Sequence, residues 1–133
     1  MAAVAFRRVS LGLVVFVAAF ALFVAAAAPG LYLRDAGELS TAAFTLGVAH
    51  ETGFALWCLL AKAATLVPLG EVATRVTLLS ALGGAAAAYL VYRAVRSLAP
   101  TDPAAAAAAV AAAALLVSGL TFFRAATVPE VYA

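Results

Sequence analysis

Apolar residues run unbroken from Leu11 to Ala28, and no charge interrupts the chain again before Arg34. These 18 residues, lengthened to Leu33 by an uncharged stretch, are enough to cross a hydrocarbon core of about 30 Å. The pattern predicts a first membrane span over 11–28. The segment that follows, 34–70, is different, because it carries Asp35, Glu38, His50, Glu51 and Lys62. Leu39, Ala43 and Leu46 recur on one helical face and predict a short amphipathic helix. Gly53 to Val67 is apolar apart from Lys62 and Thr65, but its 15 residues reach only about 22 Å as a helix. That predicts a helix lying at the interface or dipping into the membrane. Val72 to Leu98 reads as the second span, with Arg75 near its start and Arg93 and Arg96 near its end. Pro100-Thr101-Asp102-Pro103 is a tight connection in which Asp102 can cap a helix beginning at Pro103. Ala104 to Phe123 then predicts the third span, followed by Arg124, Pro129 and Glu130.

The expected fold is therefore all-α and integral to a membrane. Three transmembrane helices (11–28, 72–98 and 104–123) form one domain over 1–133, with an outer loop of short amphipathic or re-entrant helices between the first two. Composition agrees. Of 133 residues 68% are hydrophobic and 11% charged, with mean hydropathy +1.15, whereas soluble domains sit nearer half apolar and a quarter charged. The net charge of +2 is scattered singly, so no basic run marks a nucleic-acid surface. One cysteine, Cys58, and one histidine, His50, exclude an internal disulfide and a cysteine- or histidine-rich metal site. The alanine tract 104–114 favours helix and carries no chemistry. A secretory signal peptide is a rival for the first run, since Arg7, Arg8 and small residues before Pro29 suit one. The run exceeds the roughly 7–15 apolar residues of a signal peptide and further spans follow, which favours an uncleaved span.

Orientation follows from basic residues. Arg7 and Arg8 before the first span, and Arg93 and Arg96 after the second, stand against Arg34, Lys62, Arg75 and Arg124 on the other side, and the short tight loops of the first group favour the cytoplasm for it. Three spans then bring Asp35, Glu38, His50 and Glu130 to one non-cytoplasmic face. If 53–67 also crossed, Glu130 would lie on the opposite side.

Each polar residue has a bland and a chemical reading. Asp35 and Glu38, three apart, suit a capping box at a helix start. A carboxylate at a membrane surface is also suited to act as a general base toward a hydroxyl. His50 sits in a glycine-flanked turn, where it either makes an ordinary hydrogen bond or handles a phosphate or a proton. Arg75 and Arg124 suit bidentate phosphate binding, or snorkel as interface anchors. Glu130 and Tyr132 say nothing without context.

Taken together, these clusters resemble the protein O-mannosyltransferase-like members of the GT-C glycosyltransferase superfamily. That family's pattern is Asp-x-Gly-Glu after the first span, then Gly-x-x-His-Pro-x-Gly-Tyr-Pro-Leu. Arg-x-Asn-x-x-Ser opens the next span, and Glu-Val-Tyr follows the third. Asp35-Ala36-Gly37-Glu38 matches the first element. Gly47, His50, Gly53 and Leu56 match the second, with Glu51 and Ala55 replacing prolines and Phe54 replacing tyrosine. Arg75 and Ser80 match the third, with Thr77 in place of asparagine, and Glu130-Val131-Tyr132 matches the fourth. Order and spacing hold from about Leu31 to Ala133.

The resemblance implies a membrane enzyme, expected in a bacterial inner membrane. It would transfer a sugar, mannose in the named members, from a polyprenyl-phosphate donor to a hydroxyl of a protein or glycan on the non-cytoplasmic face. By carry-over Asp35 is the catalytic base and Glu38 its support or the acceptor's guide. His50 and Arg75 would approach the lipid phosphate, with Arg124 as a further cation and Glu130 and Tyr132 in the substrate site. No metal or cofactor is indicated beyond the lipid-linked co-substrate. GT-C enzymes have many more spans than three, so the 133 residues are expected to be an inactive N-terminal piece. The competing class is a non-enzymatic scaffold or transporter subunit, for which small residues such as Gly83 and Gly84 would suffice.

Overall fold

The computed structural model describes residues 2–30, 35–51 and 53–131, the first nine of these as backbone only. Arg34 and Tyr132 lie outside the described residues. Six helices and no strands make up the described part: α1 (Ala2–Ala26), α2 (Ala36–Thr45), α3 (Ala55–Thr65), α4 (Val72–Leu98), α5 (Pro103–Ser118) and α6 (Leu120–Thr127).

Helix α4 is the hub and packs against all five others. It can do so because its inward face is small. Ala81, Gly84, Ala85 and Ala88 are buried at helical spacing, and small residues let helix backbones approach closely. Phe23 of α1 and Ala126 of α6 press on Gly84, where an added Cβ would stand 2.7 Å from the Ala126 Cβ. Phe122 and Phe123 meet Phe23 edge-on, at 6.1 and 5.7 Å between ring centroids. Toward the other end of α4, Tyr92 is buried against Ala109 and Ala113 of α5. The alanine tract is thus a smooth packing face, with Ala105, Ala109 and Ala113 turned inward. The helix start predicted there is present: Asp102 accepts from the Ala104 N–H at 2.8 Å, ahead of Pro103.

Among the described residues α4 is the one helix long and apolar enough to cross a membrane; α5 and α6 reach that length only as a bent pair. The predicted continuous span 104–123 is therefore corrected. It breaks at Gly119, and α6 departs from α5 by 71°. Gly119 is extended (φ −63°, ψ 120°), and the turn lets Phe122 and Phe123 swing in against Phe23. The helix of the first run ends at Ala26, two residues early, where the Ala28 N–H donates instead to the Thr127 carbonyl at 3.0 Å. Large apolar side chains remain exposed on the outer faces of α1 (Leu13, Val14, Val17), α4 (Leu82, Leu90) and α5 (Leu115).

Segment 35–70 folds as a helix pair, α2 and α3, laid on the first half of α4. Ala43, Ala61 and Val76 form the joint core. At 11 residues, α3 is about 16 Å long, well short of a bilayer. Of the predicted amphipathic stripe Leu39 and Ala43 are buried, but Leu46 is not. It is exposed and closes α2 in the left-handed region (φ 54°), with its N–H on the Ala42 carbonyl. Lys62, the lone cation of α3, donates to the Phe44 carbonyl at the end of α2, at 2.5 Å. A cation is well placed at a helix C-terminus.

Candidate functional site

The first polar element does not form the capping box that its spacing suggests. Asp35 heads α2 in a helical conformation (φ −77°, ψ −5°) and makes no side-chain cap. Glu38 turns away to the second element. One carboxylate oxygen accepts the His50 backbone N–H at 2.6 Å and the other lies 3.2 Å from His50 Nδ1. A partner twelve residues on has replaced the local one. The turn around His50 is closed by a Gly53 N–H bond to the His50 carbonyl (2.8 Å), with Gly53 at φ +82°. The Phe54 ring stands edge-on to the imidazole, 5.5 Å between centroids.

The third and fourth elements join in the same way. Ser80, buried on α4, donates its hydroxyl to the Glu130 carbonyl (3.1 Å) and accepts the Glu130 N–H (3.0 Å). Trp57 of α3 donates its indole N–H to that same carbonyl at 3.1 Å. Val131 packs on the Leu39, Ala42, Ala49 and Cys58 cluster.

Between the end of α1, the start of α2, the His50 turn and the α6 segment lies a cleft of about 740 Å³. Asp35, His50, Arg124 and Glu130 all line it, together with apolar residues such as Leu39 and Val128. Four of the residues singled out in the sequence, spread over 95 positions, therefore share one cavity at one end of the bundle. Glu38 stands behind His50 rather than in the cleft. Arg75 is elsewhere: its three guanidinium nitrogens donate to the carbonyls of Leu69 (2.8 Å), Thr65 (2.7 Å) and Gly70 (2.7 Å). It ties the end of α3 to the start of α4, in place of the phosphate expected of it.

Chemically the cleft holds two carboxylates, one guanidinium and one imidazole. Among the described residues Glu38–His50 is the only contact between a carboxylate and a basic side chain within 4 Å, so Arg124 has no carboxylate partner there. An unpaired guanidinium suits an anionic group, and carboxylates suit hydroxyls. Trp57 escaped the sequence reading; its signal was a lone tryptophan in an apolar helix, whose N–H needs a partner once buried.

This is a helical bundle with a cleft at one end, lined by Asp35, His50 and Glu130 of the first, second and fourth sequence elements. A family model for the N-terminal domain of protein O-mannosyl-transferase TMEM260 matches residues 35–133, and the chain belongs to that family. The protein O-mannosyl-transferase TMEM260 of mouse (Mus musculus) is 49% identical over 79 residues, which are 59% of this chain and 11% of that protein. The matched stretch thus spans about a tenth of the length of that curated relative. No solved structure matches it. The resemblance read from the residues holds at the level of the family.

Proposed function

We propose that the chain is the N-terminal part of a membrane glycosyltransferase that moves a sugar, mannose in its named relative, from a polyprenyl-phosphate donor to a hydroxyl acceptor. The observation that carries this reading is the cleft, which gathers Asp35, His50, Arg124 and Glu130 from distant parts of the chain. Helices α1 and α4 and the bent pair of α5 and α6 span the membrane in this proposal. Their exposed leucines and valines support it, since lipid rather than water is the solvent for such faces. The cleft end of the bundle lies on the non-cytoplasmic side.

Asp35 takes the proton of the acceptor hydroxyl. The hydroxyl oxygen then bonds to the anomeric carbon from the face opposite the phosphate. The bond from that carbon to the phosphate oxygen breaks, and its electron pair leaves on the polyprenyl phosphate. A leaving phosphate needs positive charge beside it, and Arg124 supplies it. His50, held by Glu38, offers its remaining ring edge to the same site. Glu130 accepts from sugar hydroxyls. Donor-dependent transfer of radiolabelled mannose to a peptide acceptor, in membranes carrying the whole enzyme, is the test. Transfer by the wild type and its loss in Asp35→Asn are expected; undiminished transfer by Asp35→Asn overturns the assignment of the base.

A further inference from the structure

We propose that Trp57 and Ser80 are positioning residues that latch the Glu130 segment onto the bundle, so that one oxygen of the Glu130 carboxylate is held out for a polyhydroxylated ligand. The inference rests on the reading of the cleft as a sugar-transfer site, and adds to it the two residues that set the cleft's far wall.

The backbone hydrogen bonds at Glu130 are complete. Its carbonyl accepts twice, from Trp57 Nε1 and from Ser80 Oγ, both at 3.1 Å. Its N–H donates to Ser80 Oγ at 3.0 Å. The serine hydroxyl thus donates to and accepts from the backbone of one residue, across both of its peptide units, and it does so at 2% exposure. Buried polar groups of this kind are costly to leave unmade, which makes the arrangement resistant to sliding. The neighbours reinforce it, since Pro129 is fully buried and Val131 packs beside Trp57. With the backbone fixed from α3 and α4 together, the side chain is left to the cleft it lines. One carboxylate oxygen, Oε1, accepts the Val131 N–H at 2.8 Å. The other, Oε2, has no hydrogen bond among the described residues. An ionised carboxylate is acceptor-only, so what Oε2 can take is a donor, and the hydroxyls of a sugar are donors.

Trp57 is the only tryptophan of the chain, so a nitrogen-15 spectrum carries one indole N–H signal and reports this contact alone. In the 133-residue chain in detergent, exchange of that proton with deuterium should accelerate about tenfold or more in Ser80→Ala, because the carbonyl it binds is no longer held. Ser80→Thr, which keeps the hydroxyl, should restore slow exchange. Equal exchange in Ser80→Ala and wild type overturns the latch, whatever the enzyme proves to transfer. In membranes carrying the whole enzyme, Trp57→Phe and Ser80→Ala should raise the donor KM about tenfold with a smaller change in kcat, and Ser80→Ala should add little to Glu130→Gln. Full additivity, or a fall in kcat alone, overturns the positioning role. A wild type that transfers no sugar while the exchange result stands refutes the functional reading and not the latch.

Discussion

Asp35 owes nothing to the helix it starts. Its backbone carbonyl accepts the Leu39 N–H at 2.8 Å, the opening i→i−4 bond of α2, but its carboxylate makes no cap. Removing the charge should therefore leave the fold intact. Asp35→Asn is expected to unfold at the wild-type temperature and to lose about 100-fold or more in kcat/KM, the usual scale for a general base. Thermal unfolding and transfer kinetics on one preparation check both halves. Glu38 is the opposite case, since both its oxygens serve His50. Glu38→Gln keeps one acceptor for the backbone N–H but presents an amide N–H where an oxygen faced Nδ1, which favours the tautomer with its proton on Nε2 and turns the ring edge left to the cleft from acceptor to donor. The expected effect is a loss of about tenfold in kcat/KM with an unaltered cleft, and Glu38→Ala should lose more. Equal activity in Glu38→Gln and wild type would mean that the tautomer of His50 is irrelevant. Spacing alone pointed to a capping box, because three residues of separation is all that a sequence displays. Which acceptor Glu38 meets depends on where the turn at His50 folds back.

At the scale of elements, the contact that decides the fold is the crossing of α1, α4 and α6 at Gly84. A methyl group there would sit 2.7 Å from the Ala126 Cβ and 3.0 Å from the Phe23 ring. Neither neighbour is the end of a flexible chain, so the helices themselves must move apart. Gly84→Ala should cost about 1–3 kcal/mol, the range for overpacking a filled core, and Ala126→Gly in the same chain should recover part of it. Chemical unfolding in detergent of the two single variants and the double variant measures this. The existence of α4, the start of α5 at Asp102-Pro103 and the short α3 were legible from apolar run lengths and cap residues. The break at Gly119 was not. One glycine in an alanine-rich helix costs only about 1 kcal/mol, too little to mark an end. The bend instead answers to Phe122 and Phe123 closing on Phe23, contacts that join residues about a hundred positions apart.

For the molecule as a whole, the sequence identified the residues of the cleft better than their duties. Asp35, His50, Arg124 and Glu130 do line one cavity, but Arg75 serves the α3–α4 turn and Ser80 and Trp57 hold the fourth element. An arginine beside a membrane span looks the same in sequence whether it binds carbonyls or a phosphate. Which side of the membrane the cleft faces follows from the path of the chain. If α1, α4 and the bent α5–α6 pair cross and α2–α3 does not, the loop at Ala99 lies opposite Glu38, His50 and Glu130. Single cysteines at 38, 50, 99 and 130 in a Cys58→Ala background, exposed to a membrane-impermeant thiol reagent in intact cells, read this directly. Cys58 is buried and unpaired, so its replacement removes background labelling. Labelling at 38, 50 and 130 with protection at 99 is expected. Labelling at 99 with protection at 130 would require the α2–α3 segment to cross as well. The cleft residues would then be divided between two compartments, and no single lipid-linked donor could meet Asp35 and Arg124 together.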